Sequence, residues 1–326
     1  MYDFITIGGT TRDISFFTAE GLLINNYNRD ILHQHVLAFE SGAKIKVDKF
    51  YYSYGGGAAN AAVCLANFDF KTACLAPVGS DEGGQRIIKN LAQHRVDTRF
   101  IKRIPREESG SSFVLIAPTG ERIIFAQRGA NSKFKIGREA LMAIKKARNI
   151  YIASLSGHWP AELKKIFAAV GPNGPQVFWN PGMTQYLEGV SVIAPYLKKV
   201  TVLASNKDEA VELVMTSQKH RRLGRTFLNN PENLIKVMHS FGPKIAVITL
   251  GSAGVIAYDG LRIYRREIIK AAKVVDTTGV GDIFNSTFAA GLVLFEGDIN
   301  KSLHLSLQNT AAKVAHIGAQ TGLIKI

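Results

Sequence analysis

The chain has 326 residues, enough for about two domains of ~150 residues or for one large domain carrying an insertion. Hydrophobic residues at 46% and charged residues at 20% exclude a disordered chain, and 2 cysteines, Cys64 and Cys74, exclude a disulfide framework and show no zinc-site spacing. The excess of 40 Lys+Arg over 26 Asp+Glu, a net charge of +14, suits anionic partners such as nucleotides and by itself assigns no function.

The chain opens MYDFITIGG, which reads as a strand and a turn without the basic and apolar regions of a leader. No apolar run reaches ~18 residues, so a cytoplasmic protein with no membrane partner is expected. In chain order, apolar runs predict strands at 4–7, 72–78, 149–153, 176–179, 200–204 and 245–250. Helical spacing falls between them at 58–68, 83–94, 137–147, 162–170, 207–215 and 232–241. Buried strands alternating with amphipathic helices predict a doubly wound α/β fold, its sheet mostly parallel with helices on both faces.

Two segments break the rhythm. Residues 43–54 alternate like a half-exposed strand, and 111–128 read as a hairpin with Pro118-Thr119-Gly120 at its tip. They predict a small antiparallel β lid, residues 14–54 and 106–128, inserted in an α/β domain of residues 1–13, 55–105 and 129–326. The basic run 219–225 reads as a solvated loop. No basic stripe with interleaved aromatics is present, so a nucleic-acid partner is not expected.

Three glycine clusters carry the chemistry. Asp276-Thr-Thr-Gly-Val-Gly-Asp282 lies between a β-branched pair and an apolar helical stretch. Gly279-Val280-Gly281 is therefore a turn feeding a helix N-terminus, where amides and the helix dipole converge on an anion. Asp282 is a helix cap on the plain reading. Beside an anion nest, a carboxylate that accepts a proton from an attacking hydroxyl explains its place better. Gly55-Gly-Gly-Ala-Ala-Asn60 and Thr249-Leu-Gly-Ser-Ala-Gly254 are the other two clusters, each a tight turn or a ligand loop. There is no G-x-x-x-x-G-K-[ST] string, and Gly8-Gly9-Thr10-Thr11 lacks the dinucleotide spacing.

The runs DTTGVGDIFNSTF at 276–288 and GGGAAN at 55–60 resemble the paired signatures of the PfkB, or ribokinase-like, carbohydrate kinase family. Asn206-Lys-Asp-Glu209, ITLGSAGV at 248–255 and Gly318-Ala319-Gln320 are similar to three further motifs in family order. The resemblance implies ATP as phosphoryl donor, Asp282 as base and the amides of Gly279, Val280, Gly281 and Asp282 as the hole for the moving phosphoryl group. It implies Asp13, Gly56 and Asn60 as sugar contacts. Asn206, Thr249, Gly251, Gly254 and Gly281 would line the nucleotide, with Asn309 near the adenine. Glu209, with Asn206, would order Mg2+ through water. Asp276, Thr278 and Gly318 would form a monovalent-cation site for K+, and the lid would allow a homodimer.

The expected activity is transfer of the γ-phosphoryl group to a hydroxyl of a small sugar. A nucleoside kinase is the alternative, with Phe16, Phe17 and Trp159 as a slot for a base. A sugar acid or phosphosugar is a further one, motivated by Arg12 beside Asp13 and by Arg128 at the end of the hairpin.

Overall fold

The computed structural model describes residues 1–25, 35–116, 122–220 and 223–326. The expected hairpin tip at Pro118-Thr119-Gly120, and Arg221 and Arg222 of the basic run, lie outside the described residues. The main sheet runs, from edge to edge, Ile263–Arg266, Val255–Tyr258, Ile245–Thr249, Val202–Asn206, Gln176–Trp179, Asn149–Ile152, Phe4–Ile7, Thr72–Leu75. From Ile245–Thr249 onward the pairings are parallel, and the first two strands of that order add on antiparallel.

Phe4–Ile7, Thr72–Leu75 and Asn149–Ile152 are buried at every residue, which is why their sequences are continuous apolar runs. Side chains alternate between two cores. Ile5, Ile150 and Trp179 pack with Ile144, Leu163, Leu213 and Ile235 from the helices on one face. Phe4, Tyr151 and Phe178 pack with Val63, Leu91, Phe288 and Leu303 from the helices on the other.

The chain passes from Phe4–Ile7 to Thr72–Leu75 on one side and only later to Asn149–Ile152 on the other. That reversal opens a crevice at the C-terminal ends of the strands, where open α/β sheets bind ligands.

The lid sheet runs Arg122–Gln127, Ser111–Ile116, Thr11–Phe17, Lys49–Gly55. Its outer pairings are antiparallel, but Thr11–Phe17 and Ser111–Ile116 pair in parallel, so the sheet is mixed. Its first strand starts at Thr11, which places Asp13 in the lid. Of the alternating stretch 43–54 only Lys49–Gly55 is a strand, because its partner Thr11–Phe17 ends opposite Lys49. The expected strand 72–78 breaks after Leu75, and Pro77–Gly79 pairs with Lys102–Ile104 instead. Pro77 brings no amide hydrogen to a central ladder.

The pleat sorts the lid residues. Asp13, Ser15, Ser112 and Val114 share a buried face. Phe50, Tyr52, Phe113 and Phe125 share the opposite face, exposed by 60%, 58%, 44% and 57%. Among the described residues no helix is long and apolar enough to cross a membrane.

Candidate active site

The strand Lys49–Gly55 enters the helix Gly57–Asn67 through Gly56, whose φ is 89°. A Cβ there would collide with Gly9 O and Thr10 Cα, so this turn lies directly on the turn after the first main-sheet strand. One helical turn on, Asn60 is buried. Its Nδ2 donates to Asp282 Oδ2 at 2.8 Å, and its Oδ1 accepts from Gln320 Nε2 at 3.1 Å. Gln320 Oε1 in turn accepts from Asn90 Nδ2 at 2.7 Å. Three amides in series thus orient one carboxylate, and Asn90 carries no motif that would single it out.

Gly279 adopts φ 73°, and a Cβ on it would overlap that of Ala319. This left-handed residue turns the chain into the helix Val280–Leu294 and aims its N-terminus at the crevice. In that first turn the amides of Gly281 and Asp282 have no carbonyl of their own helix to bond. The Val280 amide reaches back to Thr277 O at 3.4 Å. A Cβ on Gly281 would meet nothing within 4 Å, so that position faces open space.

Asp282 stands at the junction, half-buried. Burial pushes its pKa above the usual carboxylate value, the Asn60 hydrogen bond works against that, and the charge of Asp13 adds to it. Asp13 is 4% exposed and accepts from Ser112 Oγ at 2.6 Å. Its pKa is likewise raised by burial, against hydrogen bonds from Ser112 and Thr11. Gly55 spares it, since a Cβ there would overlap Asp13 Oδ2. Arg12 lies on the opposite face of its strand and stacks over the Tyr52 ring at 4.6 Å, so it does not stand beside the Asp13 carboxylate. Arg128 bridges from the lid to the main domain, donating to Ser156 Oγ at 2.7 Å and Thr184 Oγ1 at 3.4 Å.

On the other side of Asp282 lies a cavity of about 210 Å³ lined by Asn180, Asn206, Glu209, Thr249, Gly279, Gly281, Asp282 and Asn285. Asn206 and Thr249 are paired at the C-terminal ends of adjacent parallel strands. Asn206 caps the helix Lys207–Met215 by accepting the Glu209 amide at 2.8 Å, and Glu209 Oε2 accepts the Asn206 amide at 3.0 Å. Burial, against the Asn206 bond, lifts the Glu209 pKa to about 7, and the Asp282 charge contributes.

The cavity therefore holds two carboxylates with raised pKa values. It also holds the buried Asn285 Oδ1, which has no hydrogen-bond partner. Oxygen donors short of positive charge fit a hard divalent cation. Among the described residues no group of three or more His, Cys, Asp or Glu is placed to hold a metal ion. Asn180 and Asn285 were not anticipated from the sequence, although Asn285 lies one turn beyond Asp282 on the same helix.

Gly251 is exposed in a short turn after Thr249. Gly254 is buried where a Cβ would overlap Arg266 O, so its lack of a side chain serves the turn itself. Asn309 is a correction. It is fully buried, donates to Thr287 Oγ1 at 2.8 Å and accepts the Ile324 amide at 2.8 Å. Its amide ties two helices and the C-terminal segment together and is not on hand for an adenine. Trp159, 2% exposed, belongs to the core, and Phe16 lies on the face of the lid opposite Asp13. The expected aromatic slot is not assembled.

Residues 27–326 match the family described as "pfkB family carbohydrate kinase". The chain is 25% identical over 303 residues to an ATP-dependent 6-phosphofructokinase of Thermoanaerobacterium thermosaccharolyticum, covering 87% of this chain and 86% of that one. It is 27% identical over 289 residues to a ribokinase of Haemophilus influenzae, covering 86% and 88%. In structure it resembles Arabidopsis thaliana ribokinase complexed with ribose and ATP, with a TM-score of 0.76 at 20% identity over 99% of this chain and 96% of that one. It also resembles a Burkholderia thailandensis nucleoside kinase in complex with inosine, with a TM-score of 0.77 at 16% identity over 98% and 94%. These two likenesses establish the ribokinase-like fold. With a family match across nearly its whole length, the chain belongs to the PfkB family of carbohydrate kinases and is a phosphotransferase with an alcohol group as acceptor.

Proposed function

We propose that this kinase transfers the γ-phosphoryl group of ATP to a hydroxyl of a small sugar of ribose, ketohexose or sugar-acid type. The observation that carries the reading is the convergence of Asp282, from the α/β domain, and Asp13, from the lid, on one crevice below a glycine turn. Asp13 accepts a hydrogen bond from a sugar hydroxyl, with Gly56 and Arg128 at the edge of the site. Asp282 takes the proton of the attacking hydroxyl as its oxygen bonds to the γ-phosphorus. The bond from that phosphorus to the β-γ bridging oxygen breaks, and ADP leaves. The transition state is loose, so a carboxylate is a strong enough base late in the reaction. The Gly281 and Asp282 amides hold the moving phosphoryl oxygens. Asn206, Thr249 and Gly251 lie along the nucleotide.

Magnesium would be held by Glu209 through water, near Asn206 and Asn285, and when bound it neutralises charge on the phosphates. The likeness to Arabidopsis thaliana ribokinase complexed with ribose and ATP supports the donor and the acceptor class. The inosine-bound neighbour keeps a nucleoside in view. Against it, Trp159 is in the core and Phe16 on the far face of the lid, which leaves Phe17 stacked edge-on with Tyr51 at 5.9 Å. The exposed aromatic face of the lid suits a second copy of the chain, and Phe125→Lys should then leave a monomer in sedimentation.

The test is ADP release with Mg2+ and ATP across pentoses, ketohexoses, sugar acids, sugar phosphates and nucleosides. Free sugars should turn over fastest. Nucleosides or sugar phosphates ahead of every free sugar would refute the substrate class. No turnover of any alcohol would refute the role given to Asp282.

A further inference from the structure

The resemblance implies a monovalent cation at Asp276, Thr278 and Gly318, and these residues do meet. Asp276 Oδ1 accepts the Thr278 amide at 2.8 Å, and Oδ2 accepts the Gly318 amide at 2.8 Å. A positive charge is already among them. Lys313, at the end of the helix Ile299–Lys313, has a side chain that is 0% exposed. Its Nζ donates to the Asp276 carbonyl oxygen at 2.7 Å and lies 3.8 Å from Asp276 Oδ2.

This donor set does not fit K+. The Asp276 carbonyl oxygen accepts an ammonium proton. Both carboxylate oxygens accept amides. A second cation beside the same carboxylate would be repelled by the first. At the end of the loop position 322 is glycine, where a Cβ would overlap the His316 ring, and Thr321 Oγ1 beside it donates to Gly318 O at 3.0 Å. The buried Thr278 Oγ1 has no hydrogen-bond partner, and a single neutral oxygen does not make a cage for K+.

We infer that Lys313 is the resident cation of this kinase: its ammonium stands where a monovalent ion would, and the enzyme needs no added K+. A fully buried lysine is found almost only when paired, because burying a lone ammonium is very costly. Here the pairing joins two segments. The Val275 and Asp276 amides donate to Val314 O at 2.7 and 3.2 Å, so the chain entering the glycine turn is stitched to the end of the Lys313 helix. Gly318 closes the ring from the C-terminal loop, and Gln320 two residues on carries the contact to Asn60. The fixed charge thus underlies both the turn of the proposed anion hole and the loop that orients Asp282. It supplies positive potential without an ion-binding equilibrium. Burial works against the charge on Asp276, yet its carboxyl is held below the usual range by Thr278 and by the Lys313 charge.

The activity arm of the test rests on the kinase reading; the stability arm does not. The full-length protein is exchanged into tetramethylammonium chloride and titrated with KCl at constant ionic strength. Its thermal midpoint should not move, and kcat/KM should change by less than about twofold, the scale of residual screening effects. Lys313→Met leaves Asp276 without its charge partner and should lose about tenfold or more in kcat/KM. K+ or NH4+ should restore part of that loss and raise the variant's midpoint saturably, as a bound ion must. Saturable stabilisation or activation of the unmodified protein by K+ would overturn the inference, and so would a folded Lys313→Met that responds to no monovalent ion. Should that variant not fold, the titration of the unmodified protein decides alone. Loss of turnover on every alcohol with no K+ shift in the midpoint would sink the kinase reading and leave this one standing.

Discussion

Replacing Asn60 by alanine isolates what one amide does to the base. Asn60 Nδ2 lies 2.8 Å from Asp282 Oδ2, and Asp282 must be ionised to accept a proton. A hydrogen bond to a charged group contributes ~1.5–3 kcal/mol and favours the ionised carboxylate, so the Asn60 bond holds the Asp282 pKa down against burial. Asp282 is only half-buried, and water entering the crevice replaces part of the lost bond. Burial and the Asp13 charge already push the same carboxyl upward, so the loss acts in that direction. The acid limb of kcat/KM, which reports the free enzyme, should move to higher pH, with most of the rate recovered on the alkaline plateau. Gln320→Leu removes the group that steadies Asn60 and keeps the donor, so it should shift the limb the same way by less. The assay is the pH profile of ADP release for the three proteins. An unmoved limb, or one displaced to lower pH, would refute the claim that Asn60 tunes Asp282. A flat loss at every pH would assign Asn60 to the fold or to substrate binding instead.

Asp282→Asn should lower kcat by ~10²–10⁴-fold while nucleotide affinity holds within a small factor, checked by turnover and calorimetric titration. Because folding raises the Asp282 pKa above 3.8, ionising it costs stability, so the asparagine variant should melt higher at pH 8 and lose that margin towards pH 3. Glu209→Gln keeps an acceptor for the Asn206 amide and removes a carboxyl lifted from 4.5 to about 7. Denaturant unfolding should show it more stable by ~1–3 kcal/mol above pH 7 and equal below pH 4.5, while its Mg2+ requirement rises. Gly281→Ala adds a methyl where a Cβ meets nothing, so its melting temperature should hold while kcat/KM drops. Gly279→Ala, at φ 73° against Ala319, should lose both. Saturating substrate should slow amide exchange in Ser111–Ile116 and Arg122–Gln127 as the lid closes, and unchanged exchange would remove the lid role.

The parallel strands and the glycine turn could be read in the sequence because their signals are local. A strand buried on both faces has to be apolar throughout, as FITI and NIYI are. A left-handed residue before a helix asks for glycine. Arg12 and Asp13 are neighbours in the sequence, and only the strand Thr11–Phe17 puts them on opposite faces. The parallel pairing of Thr11–Phe17 with Ser111–Ile116 carries no such mark, because which strands become neighbours depends on how the whole domain brings them together.

The partners of polar side chains were likewise beyond local reading. Asn60 meets Asp282 across 222 positions, and Lys313 meets Asp276 across 37. Nothing near Asn309 says that it will be sealed between two helices, and nothing near Lys313 says that its charge will be buried. Sequence by itself determined the backbone turns, the strands and helices and the kinds of chemical group available, since these follow from steric limits and hydrophobic period within a few residues. Tertiary structure alone decided which carboxylate is desolvated, which amide holds it and which cation stands beside it, because burial and hydrogen bonding belong to the packed neighbourhood and not to the chain order.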